Sequence, residues 1–343
     1  MAIEFFGLDF GHASLKAVQL KPNGRVHELV TYGQVPTPSG VIGSENDEQK
    51  NNLVKSIKLL LKDGNIKTKK VVASIPESFV SSRLVQVPFV DEAQLDEALH
   101  WQAKQYIPVP LDEVNMSYRR IGETYSADGV KQWSIFLVAV SKLLIDYYVE
   151  ILKRASLEPL AIETQSAAIA RSVTRNQDKS SSLILDIGYE TVTLAIVKNL
   201  ELIYSQSVPT GSNALTKAIA QDFSLEYGQA EEYKKSYGLD ESQLDGRIYR
   251  SLKPVIDAII SEINRAIDYF RINSADNIPT KVILVGEGSQ LPGLVIYLTQ
   301  NIGLEVQLGN PWVGVHLDPN NKATNLTSSY AAAIGLAMKD DEI

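Results

Sequence analysis

Two short turns in the sequence each place a glycine two residues after an aspartate, between apolar runs. The first is Asp9-Phe10-Gly11, and the second is Asp186-Ile187-Gly188, about half a chain length further on. Glycine lets a backbone approach a polyphosphate closely and present its N–H groups as donors. A nearby carboxylate can hold Mg²⁺, usually through water, and Lys16 supplies a positive charge for a phosphate chain. Two such turns facing each other across a cleft would bind one nucleotide.

A single Asp-x-Gly turn has a simpler explanation, because Asp and Gly are both favoured in β-turns for local backbone reasons. The repetition of the turn near the start of each half favours phosphate binding instead. A third glycine-rich turn, Gly286-Glu287-Gly288-Ser289, follows an apolar run and leads into a predicted helix. It lacks the third glycine of the G-x-G-x-x-G dinucleotide fingerprint, and no βαβ unit follows it. We therefore interpret it as a turn on which an adenosine lies.

The elements that carry these turns repeat in the two halves. The strand-like runs EFFGLDF, LKAVQLK and VHELVTYGQVP open the chain, and SLILDIGYETVTLAIV and ELIYSQSVPTG repeat that pattern in the second half. Apolar residues at helical spacing predict a helix over NNLVKSIKLLLKDGN that ends at Gly64. Residues from about 212 to 272 are predominantly helical in pattern, and a last helix, SSYAAAIGLAMK, closes the chain.

The segment 76–150 has a different character from the two halves. It combines the amphipathic run DEAQLDEALHWQAKQYI with the strand-like runs NMSYRRI and QWSIFLVAVS and a second amphipathic helix, KLLIDYYVEILKRA. We predict an α+β module inserted into the first domain. The predicted domain ranges are 1–75 with 151–180 and part of the closing helix 328–339, then the insert 76–150, then 181–327 with its helical subdomain.

Composition excludes several classes of function. The chain has 343 residues, 44% of them apolar, and a net charge of −8 with no basic run, which disfavours nonspecific nucleic-acid binding. The absence of cysteine excludes disulfides and thiolate chemistry, and four scattered histidines make a zinc site unexpected. No signal peptide is visible, and no stretch approaches the roughly 20 apolar residues of a spanning helix. The acidic end MKDDEI would be repelled by anionic lipid.

The duplicated turns, the late glycine-rich turn and the closing AAAIG helix together resemble the actin-like ATPase superfamily. Within it, the run VVASIPESFVSSRLVQVPFVDEAQLDEALHWQAKQYIPVPLDEV resembles the inserted subdomain of the PilM family of type IV pilus assembly proteins. The resemblance covers nearly the whole chain. It implies an α/β fold of duplicated actin-like (ribonuclease-H-like) domains around a central cleft, with a small α+β subdomain inserted.

The resemblance also implies which residues bind the cofactors ATP and Mg²⁺. The residues assigned to nucleotide binding are Asp9, Gly11, His12, Ala13, Ser14, Lys16, Asp186, Gly188, Tyr189, Thr191, Gly211, Ser212, Asn213, Glu231, Lys234, Gly286, Gly288 and Ser289. Asp9 and Asp186 would hold the metal, mostly through water. His12 and Glu190 depart from the superfamily pattern, which has a small polar and a small residue there. A glutamate near a triphosphate would weaken binding unless it points away.

Three assignments implied by the resemblance, two for nucleotide binding and one for positioning the attacking water, have structural alternatives. Ser212 or Asn213 would serve equally well as a helix N-cap, and a helix N-terminus also binds anions. Glu231 and Lys234 match the superfamily's ribose-contacting Ala-Glu-x-x-Lys helix, but they would also suit a solvated helix face. Glu163 opens a predicted helix where the superfamily keeps a residue that positions the attacking water, although an acidic residue in a first helical turn is favourable in itself.

The function implied by the resemblance is that of an ATP-binding cytoplasmic scaffold with, at most, slow ATPase activity. Its expected partner is the cytoplasmic N-terminal peptide of a PilN-type inner-membrane protein, which would hold it at the cytoplasmic face of that membrane. Other pilus assembly components and a second copy of the chain are further expected partners. The alternatives are an FtsA-like filament-forming membrane tether, for which the chain end lacks a basic amphipathic segment, and a sugar-kinase-type enzyme, for which no general base is evident.

Overall fold

In the computed structural model, the described residues are 3–24, 26–107, 110–126, 128–174, 180–273, 278–317 and 328–339. The predicted domain ranges 151–180 and 181–327 and the acidic C-terminal run extend into positions outside these ranges. The strands of the described residues are β1 (Phe6–Phe10), β2 (Ser14–Asn23), β3 (Val26–Pro36), β4 (Lys70–Ile75), β5 (Ser81–Pro88), β6 (Val114–Tyr125), β7 (Lys131–Ser141), β8 (Glu158–Thr164), β9 (Ser182–Ile187), β10 (Val192–Lys198), β11 (Glu201–Val208), β12 (Lys281–Val285), β13 (Glu305–Leu308) and β14 (Val315–His316).

Helices cover the faces of the sheets. They are α1 (Asp47–Asp63), α2 (Glu92–Ala103), α3 (Lys142–Arg154), α4 (Gln165–Thr174), α5 (Ser212–Phe223), α6 (Tyr227–Tyr237), α7 (Arg247–Asn273), α8 (Leu294–Ile302) and α9 (Ala331–Ala337). The predicted first helix begins earlier than its apolar pattern, at Asp47, because the Asn46 side chain accepts hydrogen bonds from the backbone N–H groups of Glu48 and Gln49. It ends before Gly64, as predicted.

Two mixed sheets share one topology. The first has the order β14-β3-β2-β1-β4-β8, and the second has the order β11-β10-β9-β12-β13. In each sheet, three consecutive antiparallel strands are followed by a strand that runs parallel to the first of them. The duplication predicted from the repeated turns is therefore present in the backbone. Each Asp-x-Gly turn joins the first two strands of its sheet.

The helices α4 and α9 lie between the two sheets and bring them together. They share buried clusters with residues of both sheets, and every residue of α9 is buried. Their approach is close because Gly335 has no side chain, and a Cβ there would collide with the Ala168 carbonyl. This packing holds the turn ends of the two sheets on opposite sides of one cleft.

A third sheet, with the order β5-β7-β6, belongs to the insert and packs against α2. The boundary predicted at residue 150 falls inside α3. The buried residues of α3, which include Tyr148 and Ile151, belong to the core of the first half. The packing therefore favours a boundary near the end of β7, because an amphipathic pattern indicates a buried face without indicating what covers it.

Candidate functional site

The first turn is held by hydrogen bonds from neighbouring segments. Thr37 donates from its hydroxyl to the Gly11 carbonyl at 2.7 Å and from its backbone N–H to the Ala13 carbonyl at 3.0 Å. Asp9 is buried and lies opposite Lys16 in the antiparallel β1–β2 ladder, so both side chains point to the same face of the sheet. That face borders the cleft between the two halves.

Two side chains from the first half orient the Asp9 carboxylate. The Ser74 hydroxyl donates to Asp9 Oδ1 at 2.9 Å, and Gln165 Nε2 donates to the same oxygen at 2.7 Å. Ser74 lies near the end of β4, and Gln165 is the first residue of α4. The position of Asp9 therefore depends on two other elements besides its own strand.

The second turn is braced by the start of α5. The Gly188 N–H donates to the Thr191 carbonyl at 3.0 Å, and the Ser212 and Asn213 N–H groups donate to the Gly188 and Tyr189 carbonyls at 2.9 Å each. Gly211 allows this approach, because a Cβ there would collide with the Tyr189 carbonyl oxygen. The segment 211–213 thus supports the turn, whatever further contact it makes with a ligand.

Asp186 differs from Asp9 in its surroundings. No described residue donates a hydrogen bond to its carboxylate. Burial and then the charge of Asp9 raise the pKa of Asp186 to about 7, and the nearby Lys16 opposes this shift. Burial and the neighbouring negative charge thus favour the protonated form of this carboxyl group.

Both turns line one cavity of about 70 Å³, which we call the turn cavity. The predicted site residues that line it are Asp9, Gly11, His12, Ala13, Ser14, Lys16, Asp186, Gly188, Tyr189, Thr191 and Gly286. The structure thus brings together residues that the chain separates by half its length.

A second cavity of about 350 Å³, the side cavity, lies against α6 and shares Tyr189 and Glu287 with the turn cavity. The predicted residues Ser212, Glu231, Lys234 and Gly288 line it. Lys234 is buried and donates to Glu231 at 2.7 Å and to Thr216 at 2.9 Å, so it does not belong to a solvated helix face. Burial favours the neutral form of both residues of the pair. Their contact nevertheless keeps the pKa of Glu231 below its usual range, while the pKa of Lys234 is lowered by burial.

Three predicted residues lie behind the cavities rather than on their walls. Gly211 and Asn213 support the second turn, as described above. Ser289 is buried, donates to the Gly286 carbonyl at 2.7 Å and is hydrogen-bonded to the Ser328 hydroxyl at 2.8 Å. It therefore ties the glycine-rich turn to the segment that leads into α9.

The structure gives Glu163 a different environment from the one that water positioning requires. Its carboxylate accepts two hydrogen bonds from Arg171, at 2.6 and 2.8 Å, and one from Lys339 at 3.1 Å. It borders another cavity of the molecule and does not line the turn cavity. The predicted helix begins two residues later than expected, at Gln165, and Glu163 lies in β8. The residue of this segment that reaches Asp9 is Gln165, which sequence reasoning missed.

Glu287, in the middle of the glycine-rich turn, was also missed as a site residue. Its carboxylate lies 2.8 Å from Lys16 Nζ and accepts a hydrogen bond from Ser14 at 3.2 Å. A second contact between the halves joins His12 Nε2 and Glu190 at 3.6 Å, and it is ionic when His12 is protonated. The signal for Glu287 in the sequence was a charged residue inside a turn of otherwise small residues.

A third cavity, of about 350 Å³ and largely apolar, lies between the insert and the first half, and we call it the insert groove. Its walls come from β6 and β7 of the insert and from β4, β8, α3 and α4, with Leu202 of β11 at one point. The apolar residues that line it are Ile75, Met116, Phe136, Val138, Val140, Ile145, Ile162, Ala167 and Leu202. Both β6 and β8 are terminal strands of their sheets, so the groove adjoins two sheet edges.

Duplicated mixed sheets, joined by two buried helices and facing each other through paired turns, define the actin-like ATPase fold. A family model described as type IV pilus assembly protein PilM matches residues 7–341. The chain therefore belongs to the PilM family of type IV pilus assembly proteins, as its insert predicted.

Comparisons with solved and curated proteins agree with this assignment. A structure of the PilM–PilN type IV pilus biogenesis complex matches with a TM-score of 0.83 and 28% identity, covering 98% of each chain. MreB5 of Spiroplasma citri bound to ADP matches with a TM-score of 0.56 over 96% of this chain and 94% of that one, at 13% identity, which shows the fold alone. The cell division protein FtsA of Bacillus subtilis (strain 168) is 23% identical over 237 residues, 63% of this chain; the chain spans about half, 52%, of that relative's length. No helix among the described residues is long and apolar enough to cross a membrane.

Proposed function

We propose that this pilus assembly protein is a scaffold that binds Mg-ATP in its central cleft and a PilN-type peptide in its insert groove. The main observation in support of nucleotide binding is that both turns, together with Lys16, line the turn cavity. Backbone N–H groups of the turns and the Lys16 ammonium would bind the phosphates. The side cavity, reached past Tyr189, is where the ribose and base would lie, against Glu231 and Lys234.

The donor set of the turn cavity fits Mg²⁺. Asp9 and Asp186 supply hard oxygen ligands on the wall of the cavity, and the absence of a side chain at Gly286 keeps Asp186 Oδ1 free of a collision with a Cβ. A bound Mg²⁺ would shield the phosphates from both carboxylates. It would also favour the ionised form of Asp186, which burial disfavours.

The role of the nucleotide is to close the cleft and shift the population of hinge states rather than to support rapid turnover. Glu163, the residue expected to position an attacking water, is engaged with Arg171 and Lys339 away from the cavity. Gln165 is the polar side chain that α4 presents at the cavity wall. An amide can orient a water but cannot act as a general base, so hydrolysis should be slow.

The peptide half of the proposal rests on the insert groove and on the similarity to the chain of the PilM–PilN complex. The groove is concave and largely apolar, with polar residues such as Asn115 and Arg119 beside its apolar ones. Such a lining suits a short segment that inserts apolar side chains and is oriented by a few polar contacts. Binding of the cytoplasmic N-terminal peptide of a PilN-type protein would hold the scaffold at the cytoplasmic face of the membrane.

Isothermal titration calorimetry of the full chain tests both halves. We expect saturable binding of Mg-ATP, and separately of a synthetic PilN-type N-terminal peptide but not of its scrambled version. Met116→Asp, in the groove, should abolish peptide binding, whereas Val130→Asp, an exposed insert position outside it, should not. Absence of peptide binding would contradict the scaffold role, and absence of Mg-ATP binding would contradict the assignment of the cleft.

A further inference from the structure

The ion pair between Lys16 and Glu287 joins residues 271 positions apart and crosses the cleft. Lys16 belongs to β2 of the first half, and Glu287 belongs to the glycine-rich turn of the second half. Lys16 Nζ lies 2.8 Å from a Glu287 carboxylate oxygen and 2.8 Å from the Ser14 hydroxyl, which in turn donates to Glu287. The ammonium group that would bind phosphate is thus already occupied by an anion of the protein.

The place of Glu287 between the cavities makes this pair relevant to ligand entry. Glu287 lines both the turn cavity and the side cavity. A nucleotide with its phosphates in one cavity and its nucleoside in the other must therefore pass this carboxylate. Phosphate and carboxylate oxygens would compete for the same ammonium, and they would repel each other if both stayed in place.

The two members of the pair differ in their freedom to move. The Lys16 side chain is only 6% exposed, whereas the Glu287 side chain is 41% exposed. Glu287 can turn into water without leaving the protein surface, but Lys16 cannot. A buried ammonium that loses its partner is costly, so Glu287 can leave at low cost only when another anion takes its place.

We propose that Glu287 is an intramolecular latch: it fills the anion position on Lys16 in the nucleotide-free protein and must be displaced by the phosphate chain. This inference rests on the proposed nucleotide function and adds a regulator to that site. The latch joins the two halves directly, so its release would also remove one contact across the cleft. Nucleotide binding would then exchange one cross-cleft bridge for another.

The His12–Glu190 contact cannot act as a latch in the same way. Its distance is longer, 3.6 Å, and the Glu190 side chain is 54% exposed. It involves no buried lysine, so its loss leaves no buried charge unpaired. Compared with the His12–Glu190 contact, the Lys16–Glu287 pair is therefore the one that a phosphate must replace.

Isothermal titration calorimetry with three ligands, comparing the Glu287→Gln variant with the wild type, tests the latch. The ligands are Mg-ATP, inorganic triphosphate and adenosine, and Glu232→Gln, an exposed position on α6, is the charge-matched control. If the latch is closed in about nine-tenths of the molecules, Glu287→Gln should bind Mg-ATP and triphosphate about tenfold more tightly than the wild type. Adenosine affinity should not change, and Glu232→Gln should behave like the wild type.

The outcomes separate the latch from the function on which it rests. If the wild type binds Mg-ATP and Glu287→Gln binds it equally or more weakly, with an unchanged circular dichroism spectrum, the latch is refuted while the nucleotide site stands. An equal gain for adenosine would also refute it, because the effect would then come from the side cavity. If neither protein binds any of the three ligands, the proposed function fails and the latch fails with it.

Discussion

The Asp9 turn and the Asp186 turn occupy corresponding places in the two halves, since each joins the first two strands of its sheet. Their carboxylates nevertheless have different surroundings. Asp9 accepts hydrogen bonds from Ser74 and Gln165, whereas no described residue donates to Asp186, whose pKa is raised to about 7 by burial and by Asp9. Duplication of the backbone has not duplicated the electrostatics.

This difference indicates a division of labour within the cleft. Two donors fix the position of the Asp9 carboxylate before any ligand arrives, so the first turn is preorganised. Burial and the charge of Asp9 disfavour the ionised form of Asp186, and a cation bound beside it would favour that form. The first turn therefore holds its carboxylate in place before a ligand binds, whereas the ionisation of the carboxylate in the second turn depends on the ligand. Substitutions in and around the two turns test this contrast, from the largest expected effect to the smallest.

Among these substitutions, Gly286→Ala should have the largest effect, because Gly286 packs against Asp186 of the second turn. Gly286 has φ +84°, and a Cβ there would collide with Asp186 Oδ1. We expect the free energy of unfolding to fall by about 2–4 kcal/mol, from backbone strain and overpacking together. Urea denaturation measures this loss, with Gly303→Ala as the control.

Gly303 has a similar φ of +75°, but a Cβ there would meet no atom within 4 Å, so Gly303→Ala carries backbone strain without a collision. It should cost about 1–2 kcal/mol. Equal losses in the two variants would show that contact with Asp186 contributes nothing to the requirement for glycine at position 286.

Lys16→Ala should remove the main positive charge of the first turn. We expect Mg-ATP affinity to fall by about tenfold to a hundredfold, the range for a lost hydrogen bond to a charged group. Calorimetry compares it with Lys21→Ala, which lies on the same strand but forms an exposed pair with Glu28. An unchanged affinity in Lys16→Ala would remove the first turn from the binding site.

Gln165→Ala should loosen Asp9 without removing it. Loss of one of its two donors is expected to weaken Mg-ATP binding about fivefold, because a typical hydrogen bond contributes about 1 kcal/mol. Glu163→Gln should leave nucleotide affinity unchanged, since Glu163 does not line the turn cavity. The reverse result, with Glu163→Gln the weaker binder, would support the cleft role that the sequence predicts for Glu163.

The contrast between Gln165 and Glu163 shows how far the sequence could predict this site. The repeated apolar runs and Asp-x-Gly turns were sufficient to predict the duplicated sheets, because strand and turn preferences are local. They could not determine which side of the β8–α4 junction faces the cleft. A shift of one or two residues at such a junction exchanges a cavity residue for one that faces elsewhere.

Contacts between residues that are far apart in the chain could not be predicted, for the same reason. Nothing local in the sequence pairs Lys16 with Glu287, because that contact exists only after the two sheets pack on α4 and α9. The end of the insert is a similar case, since α3 has a clear amphipathic pattern whose covering surface is set by tertiary packing. Local patterns predicted the elements, and long-range packing decided their partners.

Glu77→Gln should have the smallest effect, a change in how the free energy of unfolding depends on pH. Glu77 is also one of the charges near Asp186 of the second turn. Glu77 is buried beside the backbone N–H of Ser166, and burial raises its pKa despite nearby hydrogen bonds from Ser205 and Ser166. Between the unfolded value of 4.5 and the higher folded pKa, the folded protein binds a proton that the unfolded chain has released. The free energy of unfolding should therefore fall as pH rises through this interval.

Glutamine has no proton to lose, so Glu77→Gln should make this fall shallower, while Glu232→Gln should keep the wild-type slope. Urea denaturation at a series of pH values between about 5 and 8 measures both slopes. Where Glu77 is ionised, its charge helps to raise the pKa of Asp186, so Glu77→Gln should make Asp186 easier to ionise at those pH values. A slope that stays the same in Glu77→Gln would mean that Glu77 does not take up a proton on folding in this pH interval.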